Sequence, residues 1–175
     1  GASGIQLAYM TDLAVQADGK PVAAGWANDA NLKSVPVLLR RNAEGVYEDL
    51  SFGNVGGRGM MALPWTDSIV SGLAIDGLGR MLLAGEYAPF KAGIAARLVP
   101  SGHVDESFNG TASPSAYLAP TNSPSSHAYR TVFGRVFLDA GRPVIAGEAT
   151  WSGSAETDYD LVLTRLQSDL IFADG

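Results

Sequence analysis

Short runs in which apolar and polar residues alternate make up most of the chain, and glycine-containing turns separate them. Between residues 13 and 25, one alternating run leads to Asp18-Gly19 and a second run follows the turn. Glycine as the second residue of a tight turn suits the positive φ required there, so the pattern predicts a β-hairpin. No window keeps an i, i+3, i+4, i+7 apolar pattern free of Gly or Pro. The pattern therefore predicts an all-β fold.

The hairpin pattern occurs three times, as LAVQADGKPVAAG at 13–25, LAIDGLGRMLLAG at 73–85 and RVFLDAGRPVIAG at 135–147. Two sets of glycines mark it: the turn glycines Gly19, Gly79 and Gly141, and the closing glycines Gly25, Gly85 and Gly147. Within each set the spacings are 60 and 62 residues. Self-similarity at a nearly fixed period indicates a repeat architecture, and we expect a two-residue turn in each hairpin.

A second feature follows each hairpin: an apolar run with one arginine, a turn, then an aspartate and a phenylalanine. The arginines are Arg40, Arg97 and Arg165, and the pairs after them are Asp49/Phe52, Asp105/Phe108 and Asp169/Phe172. The pattern therefore predicts that each unit forms a four-stranded antiparallel sheet of the size of a β-propeller blade. We predict a single repeat domain, a β-propeller or partial propeller, with blade-like units at 5–57, 58–110 and 111–175. The recurring Arg and Asp predict one structural ion pair per unit; the alternative is a ring of arginines facing a central channel.

These residues resemble a known repeat. The stretches VQADGKPVAAG and LLRRNAEGVYEDLSFGNVGG are similar to the bacterial delta-60 repeat, a β-propeller-type module that reads as a DGK hairpin, an AG, a strand-turn and D-x-SFG-x-GG. The second unit departs from it at Asn109-Gly110, and the third lacks the strand-turn glycine and ends in DLIFADG. The resemblance implies a propeller-type fold and a bacterial protein that is secreted or at the cell surface. It also implies that the IFADG tail brings Gly175 close to the natural terminus, and it implies no reaction.

Composition narrows the classes of partner. Twelve Lys and Arg against eighteen Asp and Glu give a net charge of −6, so no basic face is available for the phosphates of nucleic acid. The absence of cysteine excludes disulfides, thiol catalysis and Cys-ligated zinc. The most hydrophobic region, residues 69–99, is interrupted by charged residues, so no membrane span of about 20 residues is expected.

Catalytic and metal-binding motifs are weak. The two histidines, His103 and His127, lie in a turn and in a Ser/Pro-rich loop, and no Gly-x-Ser-x-Gly elbow occurs. Oxygen ligands suited to calcium occur at Asn28, Asp29, Asn31, Asp158 and Asp160. Local hydrogen bonding in polar turns is the favoured explanation for them. We expect no enzyme activity, no metal and no cofactor.

One set of residues suits carbohydrate. Trp26, Glu86-Tyr87 and Glu148 directly follow the closing glycines, and Trp151 comes soon after. Aromatic faces stack on sugar rings and carboxylates bind vicinal hydroxyls. The alternative is that the tryptophans cap the blade edge or pack between blades.

The sequence therefore predicts a non-catalytic repeat module for protein interaction, scaffolding or assembly. A carbohydrate-binding, lectin-like propeller is the alternative, and a hydrolase or lyase is less favoured. Propellers usually have four to eight blades, so three blades predict either a homo-oligomer or a chain from which blades are missing. The uncharged Ser/Thr/Pro-rich segment 109–129 predicts an exposed loop, or one that faces a ligand or subunit, and 111–118 is compatible with a short edge strand.

Overall fold

The computed structural model describes residues 8–55, 58–108, 115–117, 130–150 and 159–166, whose strands form three antiparallel sheets. Sheet 1 contains β1 (Ala8–Val15), β2 (Pro21–Asn28), β3 (Ser34–Arg40) and β4 (Met60–Ala62) in that order. Sheet 2 contains β5 (Ser68–Ile75), β6 (Met81–Tyr87), β7 (Ala92–Leu98) and β8 (Ser115–Tyr117). In the described part of sheet 3, β10 (Arg142–Thr150) lies between β9 (Arg130–Asp139) and β11 (Tyr159–Arg165). The all-β prediction is confirmed.

The edges of the sheets add detail to the predicted units. The fourth strands of sheets 1 and 2 begin at Met60 and Ser115, after the predicted unit ends at residues 57 and 110. Within 111–118, the segment compatible with a short edge strand, the structure has the three-residue strand β8. The only helical segments in the described ranges are two 3-10 turns, Ala88–Phe90 and Glu106–Phe108. No helix among the described residues is long and apolar enough to span a bilayer.

The hairpin turns differ from the expected two-residue type in two cases of three. In sheet 1, Val15 pairs with Pro21, and in sheet 2, Ile75 pairs with Met81, so five residues lie between the paired ends. Only the glycine has positive φ there, +82° at Gly19 and +75° at Gly79. The longer loop lets the residue before the glycine avoid the left-handed region, which is unfavourable for a side chain with a Cβ.

The third hairpin has the two-residue turn. Asp139 pairs with Arg142, and both residues between them have positive φ, 49° at Ala140 and 78° at Gly141. This turn is shorter than the other two. When the three hairpins are aligned on their turn glycines, β9 is therefore displaced by one residue. The residue of β9 that pairs as Leu73 does in sheet 2 is Val136.

A β-bulge opposite each closing glycine explains why those glycines recur. The register of the first strand shifts at Thr11, Ser71 and Gly134 in the three sheets. A Cβ on the facing glycine would lie 1.8 Å from a backbone oxygen at Gly25 and 2.0 Å from one at Gly85 and at Gly147. No side chain fits at such distances, so the requirement at these positions is close backbone approach rather than positive φ.

The sheets pack face to face in chain order, and β5 and β9 each contact three strands of the preceding sheet. Sheet 1 and sheet 2 share a core whose members include Leu38, Phe52, Trp65, Met81 and Leu98. Sheet 2 and sheet 3 share a second core with Leu82, Phe108, Phe133, Ile145 and Leu166. Each such side chain removed from water contributes about 1.5–3 kcal/mol. Sheet 2 is therefore covered on both faces, and all residues of β7 are buried.

The closing glycines give a stability test with a matched control. We expect Gly85→Ala to lower the free energy of unfolding by about 3 kcal/mol, because its Cβ would overlap the carbonyl oxygen of Ile69. Gly77→Ala, where a Cβ has open space, is expected to change stability by less than about 1 kcal/mol. Urea unfolding of both variants measures the difference. Equal stability of the two variants would contradict the close approach of β5 and β6.

Candidate functional site

The first repeated arginine is the centre of a buried cluster in sheet 1. The Arg40 Nε lies 3.0 Å from Asp49 Oδ2, and its Nη2 donates to Ser51 Oγ at 3.3 Å. The guanidinium also lies 4.5 Å from the ring centroid of Phe52, a cation–π distance. The Asp49 carboxylate in turn accepts hydrogen bonds from the Ser51 backbone N at 3.0 Å and Ser51 Oγ at 2.5 Å. The Arg, Asp, Ser and Phe of the repeat therefore form one unit of structure.

Sheet 2 has the same cluster at the equivalent positions. The Arg97 Nε donates to Asp105 Oδ2 at 2.7 Å, and its Nη2 donates to Ser107 Oγ at 3.2 Å. The ring centroid of Phe108 lies 4.9 Å from the guanidinium carbon of Arg97. This geometry favours the structural interpretation of the repeated ion pairs over a ring of arginines facing a channel, because both guanidinium groups are buried.

The third arginine has a different partner. Arg165 forms an ion pair with Asp139, the last residue of β9, and the side chains of both residues are more than half exposed. Asp169 and Phe172, the partners expected from the repeat, lie outside the described residues.

The Arg40 cluster also joins sheet 1 to sheet 2. The Arg40 Nη1 donates to the backbone oxygen of Pro100 at 2.5 Å and to Gln16 Oε1 at 3.1 Å. Gln16 itself donates from Nε2 to the backbone oxygen of Gly79 at 3.1 Å. Gln16 is buried and was not identified from the sequence, because no other unit has glutamine at that position.

A second set of polar contacts joins the first strands of neighbouring sheets at their bulges. The Thr11 Oγ1 donates to the oxygen of Val70 at 2.7 Å, and the backbone N of Leu73 donates to Asp12 Oδ2 at 2.9 Å. At the next junction, Arg135 Nη1 donates to the oxygen of Ser71 at 3.0 Å. Since the bulge exposes a backbone carbonyl and amide on β5, these bonds set the position of each neighbouring sheet.

The clusters lower the pKa values of their carboxylates. Burial alone would raise the pKa of Asp49, but hydrogen bonds from Ser51 and Lys20 and the charge of Arg40 outweigh it and lower that pKa to about 2. Burial likewise opposes the shift at Asp105, where hydrogen bonds from Ser107 and Arg97 lower the pKa. Both carboxylates are therefore held as anions and act as ion-pair partners rather than as proton donors.

The residues predicted to bind carbohydrate occupy equivalent places in the three sheets. Trp26, Glu86 and Glu148 pair across the hairpin with Tyr9, Ile69 and Val132. The Trp26 ring stacks on Tyr9 with centroids 4.3 Å apart and an interplanar angle of 25°. Tyr9 was not selected from the sequence, because its place in the register becomes visible only once the bulge is known.

Glu86 and Glu148 have different environments. The two carboxylate oxygens of Glu86 accept from Nε and Nη2 of Arg130, both at 2.7 Å, and Glu86 is buried. Glu148 is exposed, and Tyr87 is half-buried at the end of β6. Trp151 lies outside the described residues. The Glu86 carboxylate is therefore committed to a bidentate ion pair that crosses from sheet 2 to sheet 3.

The remaining candidates are placed as follows. The Asp29 carboxylate accepts from the backbone N of Asn31 at 2.8 Å and of Lys33 at 2.9 Å, as in a polar turn. His103 is exposed and lies 3.1 Å from Ser101 Oγ. Both His127 and Asp158 fall outside the described residues. Within the described ranges, no three His, Cys, Asp or Glu side chains lie together as a metal site would require.

The outer faces of sheets 1 and 3 carry exposed apolar side chains, and on sheet 3 these lie beside the exposed Glu148 and Arg165. On sheet 1, Leu13 is 64% and Val15 61% exposed, beside half-buried Ala23 and Leu39. We call these four residues the head face. On sheet 3, Leu161 is 95%, Leu163 74% and Phe137 56% exposed, beside half-buried Val144. We call these four the tail face.

Both faces have buried counterparts inside the stack. The pairing register places Leu73 of sheet 2 and Val136 of sheet 3 where sheet 1 has Leu13, and each is only 5% exposed. Leu38 and Ala95 occupy the position of Leu163, and both are buried. Large exposed apolar patches mark interaction sites in soluble proteins. These faces, rather than a pocket, are the candidate functional site.

A scan against models of known protein families and a search of curated proteins each found no match to this chain.

The Arg40 cluster predicts a specific acid response. Because the pKa of Asp49 is lower in the folded protein than its ordinary 3.8, its contribution is complete above pH about 4 and is lost as pH falls towards 2. We expect Asp49→Asn to lower the free energy of unfolding by about 2 kcal/mol at pH 7 and by much less at pH 2. Denaturant unfolding at several pH values measures this. Exposed Glu44→Gln is the control, and a penalty for Asp49→Asn that is independent of pH would contradict the assignment.

Proposed function

We propose that this chain is a non-catalytic module for protein interaction and assembly, which associates through its head and tail faces. The observation that carries the proposal is the exposure of Leu13 and Leu163 at positions that are buried wherever a neighbouring sheet is present. Burying such side chains is the main favourable term in protein association. The buried arginines and low-pKa carboxylates support the same proposal, because they serve contacts between and within sheets.

We also propose that the three sheets are blades of a propeller-type fold. Each sheet is an antiparallel meander, and the first strand of one sheet lies across the preceding sheet, as in the blades of a propeller. The resemblance to the delta-60 repeat adds a bacterial origin and a secreted or cell-surface location to the proposal. Within the described part of the chain, no further sheet packs on the outer faces of sheets 1 and 3, and we propose that protein covers them.

Charging both outer faces tests the proposal. We expect wild type to associate with protein, whether with itself or with another chain, and Leu13→Arg/Leu163→Arg to lose that association, because each new guanidinium would have to be desolvated. Light scattering and cross-linking with candidate partners measure it. Leu78→Arg is the control, since Leu78 is 72% exposed in a turn that belongs to neither face. A monomeric wild type whose cross-links persist in the double variant would contradict the proposal.

Carbohydrate binding is the second candidate, favoured by the Tyr9–Trp26 stack. Tyr9 is 45% exposed, so the pair presents aromatic surface to water. Such surface stacks on the apolar face of a sugar ring. Because the Glu86 carboxylate is ion-paired with Arg130, Glu148 is the exposed acid among the residues predicted to bind carbohydrate.

A glycan array tests this second candidate. We expect wild type to retain a glycan and Trp26→Ala to reduce the signal at least about 10-fold through loss of stacking. Tyr47→Ala, which removes an exposed aromatic ring in a loop, is the control and is expected to bind as wild type does. Absence of glycan binding by the wild-type chain would rule this candidate out.

A further inference from the structure

We propose that the tail face of one chain packs on the head face of a second copy, so that the copies associate head to tail. This inference rests on the proposed assembly function and names its partner. The contact would repeat the one that already exists twice inside the chain, between sheets 1 and 2 and between sheets 2 and 3.

The apolar residues of the two faces have the register that such a contact needs. At the internal junctions, the position of Leu163 is filled by Leu38 or Ala95, and each packs in a core formed with the following sheet. The position of Leu13 is filled by Leu73 or Val136, which pack in the same cores from the other side. The tail face therefore corresponds to the surface with which a sheet contacts the next sheet in the chain. The head face corresponds to the surface with which a sheet contacts the preceding one.

The polar contacts point to the same partner. Arg165 is the counterpart of Arg40, whose Nη1 donates to the backbone oxygen of Pro100 in the next sheet. In sheet 1 the turn equivalent to the Pro100 turn contains Ala43, which is exposed. A head-to-tail contact would bring Arg165 of one copy to the carbonyl of Ala43 in the other.

Space is available at that turn. A Cβ on Gly102 would lie 2.7 Å from the Phe52 ring, which the preceding sheet contributes. The equivalent Gly45 has the same left-handed φ, +73° against +95°, but no atom of the described residues lies within 4 Å of its added Cβ. Among the described residues, the turn in sheet 1 therefore has room for an aromatic ring like the one that Phe52 places against Gly102.

The head face differs from the internal junctions at one pair of positions. Arg41 and Glu48 stand where Leu98 and Val104 form a bridge in sheet 2, and they form an ion pair of 3.9 Å. Leu98 is fully buried in the core between sheets 1 and 2, so a head-to-tail contact that repeats that junction would cover the Arg41–Glu48 ion pair. The contact is heterologous, because two different surfaces meet, so it generates a closed ring or an open filament.

Single-face variants test the arrangement. We expect the mass of wild type in sedimentation velocity to exceed that of one chain and to rise with concentration. Leu13→Arg and Leu163→Arg should each weaken self-association about 100-fold, because each destroys one of the two surfaces. Leu78→Arg should behave as wild type does. Both face residues are largely exposed, so circular dichroism and urea unfolding should show folded variants of unchanged stability.

Mixing gives the decisive result. Leu13→Arg keeps an intact tail face and Leu163→Arg an intact head face, so an equimolar mixture should form a complex of two chains that neither variant forms alone. Two outcomes overturn the inference. One is a single variant that self-associates as strongly as wild type does, and the other is a mixture that remains monomeric. A monomeric wild type also overturns the head-to-tail inference. In that case the proposed assembly function is decided separately, by whether the Leu13→Arg/Leu163→Arg variant loses the cross-links that wild type forms with other proteins.

Discussion

A β-sheet that is apolar on both faces has to be covered on both faces, and the rest of this structure depends on that requirement. Sheet 2 meets it, since its two central strands are buried almost throughout between sheets 1 and 3. The repeat gives sheets 1 and 3 the same two-sided composition, with leucine and valine at matching positions. Among the described residues, each end sheet packs against another sheet on one side only. The exposed leucines at both ends follow directly from repetition of a unit that cannot bury its own surfaces.

Hydrophobic burial brings sheets together but does not fix their relative position, because it is non-directional. Directional contacts do that here. Thr11 and Asp12 bind the backbone of β5 at its bulge, and Arg40 reaches the carbonyl of Pro100 from within its own ion pair. The closing glycine permits the backbone approach that accompanies each bulge. The repeated polar residues and glycines therefore specify geometry, while the alternating apolar residues supply most of the free energy.

The sequence was sufficient for the features that are local and repeated. Alternation with period two predicts strands, and glycines at constant spacing locate the hairpins, whatever the loop lengths are. The turn between Asp139 and Arg142 shows the limit of this approach. Its glycine aligns with the others, but the loop is shorter, and that change displaces β9 relative to the other first strands. Spacing counts residues and does not distinguish a shorter turn from a longer strand.

The partners of individual polar groups were less predictable, because they depend on which sheets meet. Arg130 and Glu86 are 44 residues apart and pair only when sheet 3 lies against sheet 2. Gln16 has no counterpart in the other units, so repetition gave no signal for it. The Arg40–Asp49 pair was predictable because both residues belong to one unit and recur as Arg97 and Asp105.

The distribution of charge on the end sheets is the final constraint on how they are used. An end repeat that stays in water usually has a polar outer face, since charged residues there prevent unwanted association. The head face departs from the inner faces in this direction at Arg41 and Glu48, which stand where sheet 2 has the fully buried Leu98 and its partner Val104. Leu13 and Leu163 stay apolar although they are mostly exposed in the single chain. A surface that combines a charged pair with exposed apolar side chains limits indiscriminate association and still keeps apolar area with which to bind one matching sheet.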